Sequence, residues 1–172
     1  MRKLFINLFA LSLVVLGYSQ DSSKEAKEVT LEGVTVSPLN LSYLSSVTEE
    51  SMPARIKELE YKAAGFDITD SEIYDADIDV YEVMFSQNDG SIMATYDKSG
   101  RILTSFERFN DITLPFSVRN KIYNENPGWI IHKDAYVVSY YRDTGVRKFC
   151  KVQLRKNGKR KNIKIDMAGN SI

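Results

Sequence analysis

The chain contains an internal repeat that spans most of its length. Residues 81–100 hold Tyr-Glu-Val-Met-Phe, an Asp-Gly turn, Met-Ala-Thr-Tyr-Asp and then Lys-Ser-Gly. Residues 150–169 hold a similar series 69 positions later: Cys-Lys-Val-Gln-Leu, an Asn-Gly turn, Ile-Lys-Ile-Asp and Met-Ala-Gly. Upstream, Pro53 and the pair Gly65-Phe66 recur as Pro115 and Gly128-Trp129. A repeat of this kind predicts two copies of one supersecondary unit.

Each copy is predicted to begin with a helix. A proline opens it, because the N–H that proline lacks would have no partner in the first turn, and a glycine ends it. The apolar stripe consists of Ile56, Leu59 and Ala63 in the first copy and of Val118 and Ile122 in the second. This spacing is typical of a helix that buries one face.

Strands are predicted after each helix. Apolar residues alternate with polar ones over residues 66–80 and again over residues 129–137. Asn88-Asp89-Gly90 and Asn157-Gly158 predict hairpins, and Asp97 to Gly100 predicts a turn into a last strand. In the second copy that last strand is missing or reduced to Ser171-Ile172.

The predicted fold class is therefore α+β, with two tandem units over residues 51–111 and 112–172. Each unit is one helix packed on a three- or four-stranded antiparallel sheet, and the other face of each sheet is open. Residues 20–50 have no copy in the second half. Their apolar positions from Val29 to Val36, stopped by Pro38, indicate a tether or an added edge strand.

The N-terminus has the layout of a secretory signal peptide. Arg2 and Lys3 precede an apolar run from Leu4 to Leu16, and small residues then surround a cleavage position near Ser19/Gln20. Residues 1–19 are therefore predicted to be removed, and the mature protein is predicted to be periplasmic or secreted. No later stretch is long and apolar enough to predict a membrane span.

The alternation also predicts which side chains the open faces carry. If Val152 and Leu154 point toward the helix, their neighbours in the strand point away, and the same reasoning applies to the hairpin that follows Val83. Exposed sheet residues of this kind are candidates for contact with a partner. The predicted partner-binding residues are Met84, Met93, Phe149, Lys151, Gln153 and Arg155.

These features resemble the PepSY-like, beta-lactamase-inhibitor-like family of exported bacterial proteins. The resemblance covers residues 50–172 and depends on the proline at the helix start, the Gly-aromatic pair after the helix, the Tyr/Cys-x-Val-x-Phe/Leu strands and the Asp-x-x-Gly turns. It implies an α+β fold whose open sheet grips another protein, with inhibition or ligand binding as its role. No inhibitory residue is carried over, because no loop matches an enzyme-blocking motif.

The sequence does not indicate an enzyme. His132 is the single histidine, and neither a Gly-x-Ser-x-Gly elbow nor a phosphate-binding loop is present. No catalytic residue, metal site or cofactor is predicted. Asp75, Asp77 and Asp79 have a spacing that suits calcium, but Val80 and Ser86 stand where a calcium loop needs Gly and Glu. A solvated acidic strand edge is the favoured interpretation, and calcium binding stays open.

Charge separates the two halves of the chain. Residues 20–114 hold 8 basic and 19 acidic side chains, whereas residues 115–172 hold 13 basic and 4 acidic ones. The predicted function is a non-enzymatic binding or inhibitory module that contacts another periplasmic or secreted protein, such as an enzyme or peptidase, through its open sheet faces. The alternative is an envelope-associated protein whose basic C-terminal half binds an anionic surface. Nucleic acid is not a predicted partner, because the protein is predicted to be exported.

Overall fold

The computed structural model describes residues 38–172. The predicted signal peptide, residues 1–19, lies outside the described residues, and so does the predicted tether or edge strand as far as residue 37. The helical elements are a 3₁₀ turn at Pro38–Asn40, α1 at Leu41–Val47, α2 at Ala54–Gly65 and α3 at Phe116–Glu125. The strands are β1 Val80–Gln87, β2 Gly90–Asp97, β3 Ile102–Asn110, β4 Ile130–Tyr141, β5 Gly145–Lys156 and β6 Lys159–Ile165.

All six strands join in one antiparallel sheet, in the order β1-β2-β3-β4-β5-β6. The α+β class with an antiparallel sheet is thus confirmed. The sequence does not predict that β3 pairs with β4, although α3 lies between them in the chain. Their register runs from Thr104 opposite Tyr141 to Asn110 opposite Ala135, so the strands of both repeats share one continuous sheet.

The helices cover one face of this sheet. Ile56, Leu59 and Ala63 of α2 are buried, as the predicted stripe requires, and so are Val118 and Ile122 of α3. They share one core with the inward side chains of the strands, among them Tyr96 and Leu154. Burying this apolar surface is the main favourable contribution to folding, and it fixes which face of the sheet is left open.

Residues 66–79 are turns, and the strand predicted from their alternation is wrong. Only Val80, at the end of that pattern, belongs to a strand. The aspartates explain the difference, because their side chains hydrogen-bond to the backbone two residues ahead and replace strand pairing. Asp67 Oδ1 accepts from the N–H of Thr69 at 2.8 Å, and Asp75 Oδ1 accepts from the N–H of Asp77 at 3.0 Å.

Residues 38–50 also differ from the predicted tether or edge strand. They contain the 3₁₀ turn and α1, and Tyr43, Leu44 and Val47 of α1 are buried. The side-chain amide of Asn40 holds this segment in place, because it donates to the carbonyl of Ala64 at 3.2 Å and to that of Gly100 at 3.0 Å.

The predicted turns are confirmed. Asn88-Asp89 leads from β1 to β2, and Asn157-Gly158 leads from β5 to β6. Two further turns repeat each other, because the N–H of Gly100 donates to Asp97 and that of Gly169 donates to Asp166. After the second of these turns the chain makes only an isolated bridge between Ile165 and Ser171, which agrees with the predicted loss of a full last strand.

Candidate functional site

The face of the sheet opposite the helices is the candidate functional surface. In β1, Tyr81 and Phe85 are buried against the helices, whereas Met84 points away and is 50% exposed. In β5, Cys150 and Val152 are buried, whereas Lys151 between them is exposed. Among the described residues, all three helices contribute to the core on one face, so we refer to the other face as the open face.

One part of the open face is apolar. Met84, Met93 and Phe106 lie opposite one another on β1, β2 and β3. The ring of Tyr141 meets that of Phe106 edge to face, with 5.8 Å between centroids. Phe106 is 50% exposed and Tyr141 is 40% exposed, although both are large aromatic side chains. These four residues form what we call the apolar strip.

A cleft lies on the other part of the open face. It has a volume of about 880 Å³, and Ala135 of β4 lines it while being only 3% exposed. Ala135 packs outside the main core, so the longer side chains around it are what shield it from solvent. We call this depression the basic cleft. The basic and amide side chains that line it on β3 to β6 are those of Arg108, Asn110, Lys133, Lys151, Gln153, Asn162 and Lys164.

The lysines of the basic cleft are not paired with a carboxylate of the described residues. Within residues 38–172, the ammonium groups of Lys133, Lys151 and Lys164 form neither an ion pair nor a hydrogen bond. Lys151 lies directly opposite Lys164 in the β5–β6 register, an arrangement that is unfavourable for like charges. The ring of Phe149 lies 5.9 Å from Lys151 Nζ and 5.5 Å from Lys164 Nζ, at a cation–π distance.

Three carboxylates border one end of the cleft, where β3 and β4 meet the loop before α3. They belong to Asp89, Asp111 and Asp134. Partial burial raises the pKa of Asp134, and the nearby charge of Asp111 raises it further, although the N–H of Ile112 donates to Asp134 and opposes both effects. The cleft is therefore cationic on β5 and β6 and acidic at this end.

The six predicted site residues lie on the open face, but not in one cluster. Met84 and Met93 belong to the apolar strip. Lys151 and Gln153 line the basic cleft, with Phe149 beside Lys151. Four strand intervals separate β1 from β5, which is about 19 Å of sheet.

Arg155, the sixth of these residues, does not line the cleft. It lies farther along β5, opposite Arg160 and near the β5–β6 turn. The structure therefore divides the predicted site residues between the strip, the cleft and the hairpin tip.

Sequence reasoning missed several residues of this surface. Asn162 and Lys164 could have been predicted from the sequence. The turn at Asn157-Gly158 sets the β5–β6 register and places them opposite Gln153 and Lys151. Arg108, Lys133, Phe106 and Tyr141 required the pairing of β3 with β4, for which the sequence contains no turn signal.

Two buried glutamates lie on the helix side of the sheet. Glu60 of α2 is 0% exposed and Glu107 of β3 is 1% exposed. Burial and the charge of Glu107 raise the pKa of Glu60 to about 8, and burial raises the pKa of Glu107 to about 7. Tyr43, Ser105 and Thr48 donate hydrogen bonds to these carboxyls, which places the pair inside the folded core.

The remaining reactive groups are scattered. His132 lies at the irregularity in the β4–β5 register and is exposed, and Cys150 is buried in the core. In the described part of the chain, no three His, Cys, Asp or Glu side chains are arranged so that they could hold a metal ion. None of the helices within residues 38–172 has the length and apolar character needed to cross a membrane.

Comparisons with known proteins give a likeness to a solved structure. No protein-family model matches the chain, and no curated protein matches it. Among solved structures, the chain is similar to a DUF2874 family protein from Bacteroides ovatus, with 11% sequence identity and a TM-score of 0.35. The match covers 72% of this chain and 86% of that chain.

Proposed function

We propose that this protein is a non-enzymatic binding module that contacts another exported protein through the open face of its sheet. The observation that carries the proposal is the apolar strip beside the basic cleft, on a face that the described helices leave uncovered. Protein interfaces are enriched in Met, aromatic residues and Arg, and a partner would cover the exposed Met84, Phe106 and Tyr141. The partner should offer apolar side chains to the strip and negative charge to the cleft.

The two repeated segments differ in charge and polarity on this face, which further supports the proposal. Residues 81, 83 and 85 correspond to residues 150, 152 and 154, and all of these point into the core. The open-face residues between and beside them differ in charge or polarity from one repeat to the other. Glu82 corresponds to Lys151, Met84 to Gln153 and Thr95 to Lys164.

The proposal includes the finer features that the sequence predicts. The chain consists of two tandem PepSY-like units over residues 51–111 and 112–172 that share their sheet. A signal peptide at residues 1–19 directs it out of the cytoplasm, so its partner is a periplasmic or secreted protein, such as an enzyme that it inhibits. The matching turns at Asp97 and Asp166 support the tandem arrangement.

A second candidate function is attachment to an anionic surface of the cell envelope. The β5–β6 hairpin favours it, because Lys151 faces Lys164 and Arg155 faces Arg160 across the two strands. Salt distinguishes the two functions. Attachment by charge alone should collapse as ionic strength rises, whereas a complex with an apolar centre should persist.

The test is affinity capture from an envelope fraction with immobilised residues 20–172. We expect one protein to be retained at moderate salt and to be lost when Met84 and Phe106 are both changed to Ala. The matched control is Phe116→Ala, since Phe116 is 70% exposed at the start of α3 on the helix side. Equal capture by the folded Met84→Ala/Phe106→Ala variant would rule out the open face as the contact surface.

A further inference from the structure

We propose that the basic cleft binds a short acidic segment of the protein partner, with its carboxylates held by Lys151 and Lys164 and flanked by Lys133 and Arg108. This inference rests on the proposed function and specifies the chemistry of the partner at one part of the open face. The apolar strip would contact a different part of the same partner.

The first argument is the repulsion between two lysines of the cleft. Lys151 and Lys164 lie opposite each other on adjacent strands, and neither has an ion pair among residues 38–172. Like charges directly opposite each other destabilise a sheet, so the free protein carries a repulsion that a bound carboxylate would relieve. The repulsion therefore favours an anionic occupant over a neutral one.

The second argument is the local arrangement of donors. The ring of Phe149 lies within 5.9 Å of both ammonium groups, which restrains them above the sheet. Gln153 and Asn162 lie opposite each other in the next part of the register, and both line the cleft. Their amides can donate to the backbone carbonyls of a segment whose carboxylates face the lysines.

The third argument concerns the kind of anion. Asp89, Asp111 and Asp134 close one end of the cleft with negative charge. A flat lipid surface or a long polyanion would have to lie against these acids as well as against the lysines, at an electrostatic cost. A short peptide segment can place its carboxylates on the β5–β6 side alone, and residues beyond it can reach the apolar strip.

The experiment is an NMR titration of ¹⁵N-labelled residues 20–172 with capped triglutamate at low ionic strength. We expect saturable shifts at the amides of the cleft, and none with capped triglutamine. Changing Lys151 and Lys164 to Gln should raise the Kd by at least about tenfold, because two charge-assisted hydrogen bonds are lost. The melting temperature of this variant should not fall, because the substitution removes a like-charge pair.

The matched control removes the same charge outside the cleft. Lys159 and Arg160 are exposed near the tip of the same hairpin, so Lys159→Gln/Arg160→Gln should change the Kd by at most about twofold. Equal weakening by both double variants would show attraction to net charge and overturn the proposal. So would the absence of any triglutamate shift.

Vesicles containing an anionic phospholipid provide the third arm. Binding to these vesicles that depends on Lys151 and Lys164, without binding of triglutamate, would assign the cleft to a lipid and overturn the proposal. Partner capture that depends on Met84 and Phe106 is measured separately. The acidic-segment inference can therefore fail while the proposed binding function stands.

Discussion

The phenol of Tyr43 donates a buried hydrogen bond of 2.8 Å to Glu107 Oε1, and this bond joins α1 to β3. The hydroxyl of Ser105 donates to the same oxygen at 2.9 Å. Glu60 of α2 is close enough for its charge to interact with Glu107, and its Oε2 accepts from Thr48 at 2.9 Å. Two acidic side chains from different elements therefore meet inside one core, which makes the stability of the protein dependent on pH.

We predict that the protein loses stability as the pH rises from about 5 to 9. Folding raises the pKa of Glu60 from the usual 4.5 to about 8 and that of Glu107 from 4.5 to about 7. Between pH 4.5 and these raised pKa values, the folded state therefore binds more protons than the unfolded state. The stabilisation is complete below pH 4.5 and is lost above pH 8. The free energy of unfolding in urea should fall by a few kcal/mol, on the order of 1.4 kcal/mol per pKa unit at most.

The double variant Glu60→Gln/Glu107→Gln tests the assignment. Its amides do not titrate, so its free energy of unfolding should change much less over the same pH range. A wild-type slope that survives in this variant would place the titration elsewhere in the chain.

We predict that Tyr43→Phe destabilises the protein more at pH 9 than at pH 5.5. The hydrogen bond from Tyr43 favours the ionised carboxylate of Glu107, which predominates only above its pKa of about 7. Loss of the bond should cost about 1–3 kcal/mol at high pH, since it removes a buried donor to a charged group. Tyr123→Phe is the control, because Tyr123 is 46% exposed on α3 and should be close to neutral. Equal costs at both pH values would argue against an ionised Glu107.

Glu60 and Glu107 also illustrate what the sequence can and cannot predict. Glu60 lies four residues after Ile56 and three before Ala63, so its position on the buried stripe of α2 could be predicted from helical spacing. The burial of Glu107 could not be predicted from the sequence. The β2–β3 register shifts between Thr95 and Tyr96, and this irregularity decides which side chains of β3 point inward.

The sequence predicts which side chains of one hairpin point to the open face, but it does not predict which hairpins lie side by side. Alternation places Met84 and Lys151 on the face away from Val83 and Val152, and the structure agrees. The apolar strip and the basic cleft each need strands from both sides of the β3–β4 pairing, and α3 interrupts the chain at that point. A contact between distant segments has no local turn residue to signal it.

We predict that Gly90→Ala destabilises the protein because of Phe109. A Cβ at Gly90 would lie 2.4 Å from Cδ1 of Phe109, the residue opposite it on β3. Relief of this overlap requires a shift of a buried aromatic ring, at a cost of about 1–3 kcal/mol. In a double-mutant cycle with Phe109→Leu, measured in urea, the two costs should be less than additive. Full additivity would mean that the ring is not the obstacle.

We predict that Asp97→Ala is more damaging than Asp166→Ala, although the two residues occupy matching turns. Asp97 accepts hydrogen bonds from the N–H groups of Ser99 and Arg101 at 2.9 and 3.0 Å, and it contacts the guanidinium of Arg142 at 3.7 Å. Although partial burial alone would raise the pKa of Asp97, the hydrogen bonds outweigh it and lower that pKa.

Asp166 makes a smaller set of contacts. It accepts two hydrogen bonds from Asn170, which lower its pKa, and its turn leads only to the bridge at Ser171. We therefore expect a loss of about 2–3 kcal/mol for Asp97→Ala and a clearly smaller loss for Asp166→Ala, measured by urea unfolding at pH 7. Equal losses would contradict this ranking. They would mean that the last residues of the chain stabilise the sheet as strongly as the turn between β2 and β3.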